Sequence, residues 1–260
     1  MSFFVTIKSC KKDRQRFFVF FVSFILLLVA GWAAPVQAET WQVASDDNLP
    51  PYNFSLRGKR VGLNVEIVEA ILKSIGVTPL HRALSWTEVL ASLENDDIDI
   101  AFHLVGTKER FARYHMIGPL RIGTTVFMAR KEDTIHFQQL EDLKGLVIGV
   151  VRGFAYTEEF DKADFLDKLP ASSNLTNIRR LLLGRVDLVV GDMNMLQYLA
   201  TQDGRMKDLQ FLPKELGRVP RYLAMPKSRS SKAERVQEAF TKLEQQGVIK
   251  KIIQSWLHDE

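Results

Sequence analysis

The chain has 260 residues, 46% hydrophobic and 25% charged, a globular balance that excludes disordered and collagen-like classes. Its formal charge of +4 comes from 35 bases and 31 acids; five of those bases and one acid fall in the first 38 residues, so the remainder is balanced. A balanced remainder excludes the basic excess on which nucleic-acid binding draws.

Residues 17–34 are apolar except for Ser23 among small residues and glycine, follow Lys8, Lys11, Lys12, Arg14 and Arg16, and lead into Val36-Gln37-Ala38. A basic start, an apolar run and a small-x-small exit describe a secretory signal peptide, cleaved after Ala38. An uncleaved anchor is the alternative, because a run of this length just reaches across a bilayer. Cys10, the single cysteine, precedes the apolar run. Disulfides, thiolate metal sites and cysteine nucleophiles are therefore excluded beyond Ala38.

The remainder alternates strand and helix signals. Residues 41–45 read as a strand, Asp46-Asp47-Asn48 as a turn, and Pro50-Pro51 before Tyr52 as a rigid loop. Val65, Val68, Ile71, Leu72 and Ile75 share one helical face after Asn64, and Gly76 supplies the stop. Residues 78–84 form the next strand. Ser85 and Glu88 then spell a capping box ahead of Trp86, Val89, Leu90 and Leu93 at helical spacing. Asn95-Asp96-Asp97 breaks that helix, and residues 98–102 follow as a buried strand. His103, Thr107, Glu109 and Arg110 stand at its carboxyl end, where open α/β sheets bind ligands.

Residues 111–119 read as irregular, 124–130 as a strand and 132–139 as a loop. A second cycle begins with a strand at 146–151, a turn at Gly153, a helix over about 155–168 and a breaker cluster at 170–174. Leu175, Ile178, Leu181 and Leu182 make a helical stripe stopped by Gly184; a strand at 186–190 then delivers Gly191-Asp192 to its carboxyl end, ahead of an apolar helix over 193–201. Residues 209–212 are a strand, 215–221 a loop, 222–226 a short strand, and 230–257 helical with a division at Gly247. Such alternation implies parallel sheets with helices on both faces. Two cycles that each end in a polar residue favour two lobes about a cleft.

The order of aromatic, capped helix, acidic turn, strand and T-x-E-R over residues 85–110 resembles the solute-binding proteins of polar amino-acid uptake systems, the extracellular solute-binding family 3. NLTNIRRLLLGRVDLVVGD (174–192) and the strand and helix-Gly-helix tail over 222–256 resemble it too, so the likeness covers about 41–257. It implies an α/β, two-lobed, type II periplasmic clamshell, each lobe a mostly parallel sheet flanked by helices. Residues 39–124 with 218–260 would form lobe 1, residues 125–217 lobe 2, and two crossing strands the hinge. It further implies that Arg110 grips a ligand carboxylate, Trp86 covers the ligand side chain and Asp192 pairs with an ammonium. Leu49 occupies the place of a stacking aromatic, for which Tyr52 compensates.

The sequence departs from the family where small hydroxyl residues usually line the cleft: Phe102, His103 and Val105 stand on one side, Phe154 and Ala155 on the other. Each lost hydroxyl removes a hydrogen bond of about 0.5–1.5 kcal/mol, which points to a more apolar or aromatic carboxylate. The ligand-binding set is thus Arg110, Asp192, Trp86, Tyr52, His103, Val105, Leu49 and Ala155. No catalytic residue, metal site or cofactor is expected: His81, His115, His136 and His258 lack ligand spacing, and no nucleophile motif occurs. The expected partners are a carboxylate-bearing solute and the permease of an ABC importer, with the receptor a periplasmic monomer. Two other readings stand beside it: a periplasmic lyase of the cyclohexadienyl dehydratase kind, using Arg110 with His103 or Glu109, and a stand-alone sensory module.

Overall fold

A computed structural model describes residues 38–257. The predicted signal segment, Cys10 and His258 lie outside the described residues.

Strand β1 (Glu39–Asp46) buries Trp41, Val43 and Ala44 completely. Three short strands, β2 (Asn48–Leu49), β3 (Asn53–Leu56) and β4 (Lys59–Val61), then fold into a separate antiparallel sheet, so Pro50-Pro51 forms the turn of a hairpin rather than a plain loop. Helix α1 (Leu63–Ser74) begins after Gly62, where a Cβ would lie 2.3 Å from the Tyr52 carbonyl oxygen. It buries Ile67, Val68, Ile71 and Leu72 and ends before Gly76, which sits in the left-handed region at φ 73°. Strand β5 (Val77–Leu84) leads into α2 (Trp86–Glu94), whose capping box forms as read: Ser85 Oγ accepts the Glu88 N–H and the Glu88 carboxylate accepts the Ser85 N–H.

Strand β6 (Ile100–Val105) is followed by a one-turn helix, α3 (Lys108–Arg113), capped by Thr107. Residues 111–119, expected to be irregular, instead finish α3 and enter β7 (Tyr114–Arg130), a continuous 17-residue strand. The Gly118-Pro119 pair reads as a breaker, but it falls where the ladder to its neighbour shifts register, and such an irregularity tolerates a residue without an N–H.

Strand β8 (Val147–Val151) and a short α4 (Glu158–Lys162) come next. The helix expected over 155–168 stops early, because residues 167–171 form β9 (Asp167–Ala171). Pro170 is accommodated there since β9 is the outermost strand and has one unpaired side. Helix α5 (Asn174–Leu182), β10 (Leu188–Asp192), α6 (Met193–Gln202) and β11 (Leu209–Phe211) follow the expected order. The loop expected at 215–221 is strand: β12 runs Gly217–Pro226. Helices α7 (Ser230–Gln245) and α8 (Val248–Trp256) are separated by Gly247 at φ 73°.

The strands order as β5-β1-β6-β12-β7-β10-β8-β9, with β11 paired to β7. On one side β5, β1 and β6 run parallel; on the other β10, β8 and β9 do. Between them β7 and β12 are antiparallel, and β7 passes from pairing β12 over Tyr114–Thr125 to pairing β10 over Thr125–Met128. This is a two-lobed α/β clamshell with two crossing strands. One core packs Trp41 and α1 against Val236 and Phe240 of α7; another sets Phe127 edge-on to Phe137 at 5.0 Å and tilted against Phe160 at 5.9 Å. Burial of such side chains supplies about 1.5–3 kcal/mol each and holds both walls of the cleft rigid.

Candidate functional site

The carboxyl ends of β6 and β10 face each other across the crossing strands, and a cavity opens between them. Its first wall carries Trp86, His103, Val105 and Arg110; the second carries Phe154, Ala155, Tyr156, Asp192 and Met195; Arg221 of β12 forms the floor. The room for a water-sized sphere is about 20 Å³, enough for one water, so the lobes stand closed.

Arg110 is positioned by α3. Thr107 Oγ1 accepts the Arg110 N–H at 3.2 Å, fixing the first turn, and the side chain then folds back so that Nη1 donates to the Val105 carbonyl at 3.0 Å. Its Nη2 reaches across the cleft to the Gly153 carbonyl at 3.2 Å. Among the described residues no carboxylate pairs with it: Glu109 pairs with Arg113, and Asp161 accepts the Tyr156 N–H at 3.0 Å. Burial lowers the Arg110 pKa from its ordinary value. The indole of Trp86 also donates to the Gly153 carbonyl, at 2.9 Å, and meets Phe154 edge-on at 5.4 Å. Trp86 thus closes the mouth.

Asp192 caps α6, accepting the Met195 N–H at 3.4 Å on Oδ1. The same oxygen accepts the Tyr52 hydroxyl at 2.6 Å, and Oδ2 accepts both terminal nitrogens of Arg121 at 3.2 and 3.1 Å. Both partners of that ion pair are 3% exposed, so it is a buried one. The Arg121 guanidinium lies 3.4 Å above the Tyr52 ring centre. Gly123 makes room for the arrangement: a Cβ there would lie 2.4 Å from Asp192 Oδ2 and 2.7 Å from Arg121 Nη1.

His103 is the extra residue of β6. Phe102 pairs with Leu223 and Leu104 with Tyr222, leaving His103 without a partner on β12 and at φ 75°. A bulge of this kind re-aims a side chain. Here it turns the imidazole toward Asn64, whose amide donates to Nδ1 at 2.7 Å and leaves the ring proton on Nε2. Burial first, then Arg121 and Arg221, hold the imidazole well below its ordinary pKa, so the ring is neutral.

Sequence reasoning placed Arg110, Asp192, Trp86, His103, Val105 and Ala155 at the cleft, and all six line this cavity. Leu49 does not. It is 1% exposed within the core beside Trp41 and Leu63, because its pairing with Asn53 folds it beneath the small sheet. Tyr52 is also fully buried and acts through Asp192 rather than as an exposed stacking surface. Phe102 belongs to the core. The arginines of the crossing strands went unread. Arg121 and Arg221 stand directly opposite each other in the β7–β12 ladder, both buried. Their signal was a cation inside an apolar strand, Leu120-Arg121-Ile122, and another in residues assigned to a loop. Arg221 donates to the Val219 carbonyl at 3.2 Å and forms no ion pair among the described residues. Burial, followed by Arg121, lowers its pKa to about 10.

Among the described residues no group of three or more His, Cys, Asp or Glu is placed to hold a metal, and no helix is long and apolar enough to cross a membrane.

The profile of the bacterial extracellular solute-binding proteins, family 3, matches residues 41–259. The L-cystine-binding protein TcyJ of Escherichia coli (strain K12) is 24% identical over 220 residues, covering 84% of this chain and 82% of that one. Among solved structures, the arginine-, lysine-, histidine-binding protein ArtJ of Geobacillus stearothermophilus superposes with a TM-score of 0.75 at 23% identity, over 85% of this chain and 96% of the other. A histidine kinase sensor domain with similarity to periplasmic binding proteins gives a TM-score of 0.78 at 24% identity, over 84% and 96%.

Proposed function

The chain belongs to the bacterial extracellular solute-binding proteins of family 3, and on that premise we propose that it captures a small carboxylate-bearing solute and passes it to the permease of an ABC-type importer. In this reading the protein works in the periplasm as a monomer, after removal of residues 1–38. Lobe 1 comprises residues 39–124 with 218–260 and lobe 2 residues 125–217, and they close about β7 and β12 as a hinge.

The observation that carries the reading is the state of Arg110. Its fork lines the cavity with only neutral carbonyls as partners. A carboxylate offers two charge-assisted hydrogen bonds in their place, each about twice as strong as a neutral one. Trp86, Phe154, Val105 and Met195 supply apolar contact for the body of the solute.

The lyase reading would require a base at the cavity. His103 offers its protonated Nε2, since Nδ1 is occupied by Asn64, and Glu109 is an exposed partner of Arg113. A donor that holds an anion fits this arrangement better than a group that abstracts a proton.

Calorimetry of the purified protein against a panel of carboxylates tests the reading. Arg110→Ala is expected to weaken the tightest binder by at least about 2 kcal/mol, the scale of a lost hydrogen bond to a charged group. A change under threefold would remove Arg110 from the site.

A further inference from the structure

The charges around the cavity do not suit a zwitterion. An ionised carboxylate has about four acceptor positions. In Asp192 four donors already occupy them: the Tyr52 hydroxyl, the Met195 N–H and both terminal nitrogens of Arg121. Its charge is matched by Arg121 as well. An ammonium entering the cavity would find no open carboxylate there, and would lie near two further guanidiniums.

Those two are Arg110 and Arg221. Neither forms an ion pair among the described residues, and both line the cavity. They are neighbours through one residue: Arg110 donates to the Val105 carbonyl, and Val105 is the cross-strand partner of Arg221. Arg221 is 5% exposed and faces Arg121 across the ladder. Like charges directly opposed in a sheet are destabilising, and here two buried cations share one carboxylate, Asp192, which pairs directly with Arg121 and acts on Arg221 only from a distance. A ligand that brings negative charge to both arginines offsets this repulsion.

Resting on the proposed solute-binding role, we infer that the solute is a short dianion, one acid group held by Arg110 at the mouth and the other by Arg221 on the floor. The neutral His103 Nε2–H adds a donor on the same side. Both arginines line the same cavity and only Val105 links them, which favours a short dicarboxylate such as succinate or glutarate.

The test is calorimetry of the purified protein at fixed ionic strength with succinate, glutarate, 3-phosphoglycerate, butyrate, glutamine and arginine, paired with thermal unfolding of each variant. One of the two dicarboxylates, or 3-phosphoglycerate with its additional negative charge, is expected to bind at least tenfold tighter than butyrate, glutamine or arginine; succinate against 3-phosphoglycerate separates two carboxylates from a carboxylate with a phosphate. Arg221→Met is expected to cost the dianion at least tenfold, to change butyrate binding less than threefold, and to leave the unliganded unfolding midpoint equal or higher. If Arg221→Met leaves dianion affinity within threefold while Arg110→Ala abolishes it, the dianion inference fails and the solute-binding role stands. If Arg110→Ala is also silent, both fail. Tighter binding of arginine or glutamine than of every dianion overturns the inference. So does a fall in the Arg221→Met midpoint with butyrate and dianion affinity lost together, which marks a merely structural arginine.

Discussion

His103 is held at φ 75° in a strand, a conformation that costs a non-glycine residue about 1–3 kcal/mol and persists only where its surroundings enforce it. Asn64, Tyr52, Arg121 and Arg221 are those surroundings, and burial first, then the two cations, keeps the ring neutral. The unfolded chain takes a proton on this histidine below about pH 6.5, whereas the folded chain does not, so the unfolded state binds more protons as the pH falls. The His103 contribution is therefore fully present above that pH and declines below it. His103→Asn keeps a side chain tolerant of left-handed backbone and removes the titration. Urea midpoints at pH 7.5 and 5.5 are expected to differ more in the parent than in the variant; equal differences would show that the ring is charged when folded. His81, also shifted down by burial, is present in both and cancels. Asp192 carries a second prediction at this scale. Asp192→Asn leaves Arg121 buried beside Arg221 without a counter-charge, and such a break costs about 3–5 kcal/mol. Denaturant unfolding reads this directly, and a loss under about 1 kcal/mol would mean that water reaches the pair.

At the scale of elements, α3 is the piece that aims Arg110, and it is only six residues long. A helix this short has little stability of its own, so its cap matters more than usual. Thr107→Ala is expected to cost about 1 kcal/mol in stability and to weaken carboxylate binding in step, whereas Thr107→Ser restores both. Calorimetry across the three proteins decides it; unchanged affinity in the alanine variant would show that α3 is held by its contacts alone. The same scale explains what the sequence made legible. The Ser85 capping box, Gly76, Gly247 and the strand end at Asp192 are local signals, because each is set by neighbours within a few residues. Six of eight expected ligand contacts line the cavity for that reason. The strand expected to stop at residue 102 runs on through His103 to Val105, because its partner β12 is distant in the chain. Leu49 failed because its surroundings come from a hairpin that short polar strands do not announce. Residues 111–119 and 215–221 failed because Pro119, Pro220 and the two arginines read as breakers and surface, while pairing between strands about a hundred residues apart makes them the crossing strands. Reading only the second half of β12 as strand left Arg221 in a loop.

For the molecule as a whole, one carbonyl joins the two walls. Gly153 O accepts both the Trp86 indole at 2.9 Å and Arg110 Nη2 at 3.2 Å, and Gly153 sits at φ 77° with Trp86 and Leu90 close against it. The ion pair of Lys108 with Glu158 at 3.5 Å is exposed and contributes little. Trp86→Phe keeps the edge contact with Phe154 but removes the indole donor, a neutral hydrogen bond of about 0.5–1.5 kcal/mol. If the lobes exchange between open and closed forms, the closed-to-open ratio falls roughly two- to tenfold, and solute affinity falls by no more than the same factor, since only the competent fraction binds. Small-angle scattering of the unliganded protein is expected to show a larger radius of gyration in the variant, returning to the parent value when the solute saturates it. A radius that does not move, with affinity lost all the same, would leave Trp86 as a contact of the solute alone and remove it as a latch between the lobes.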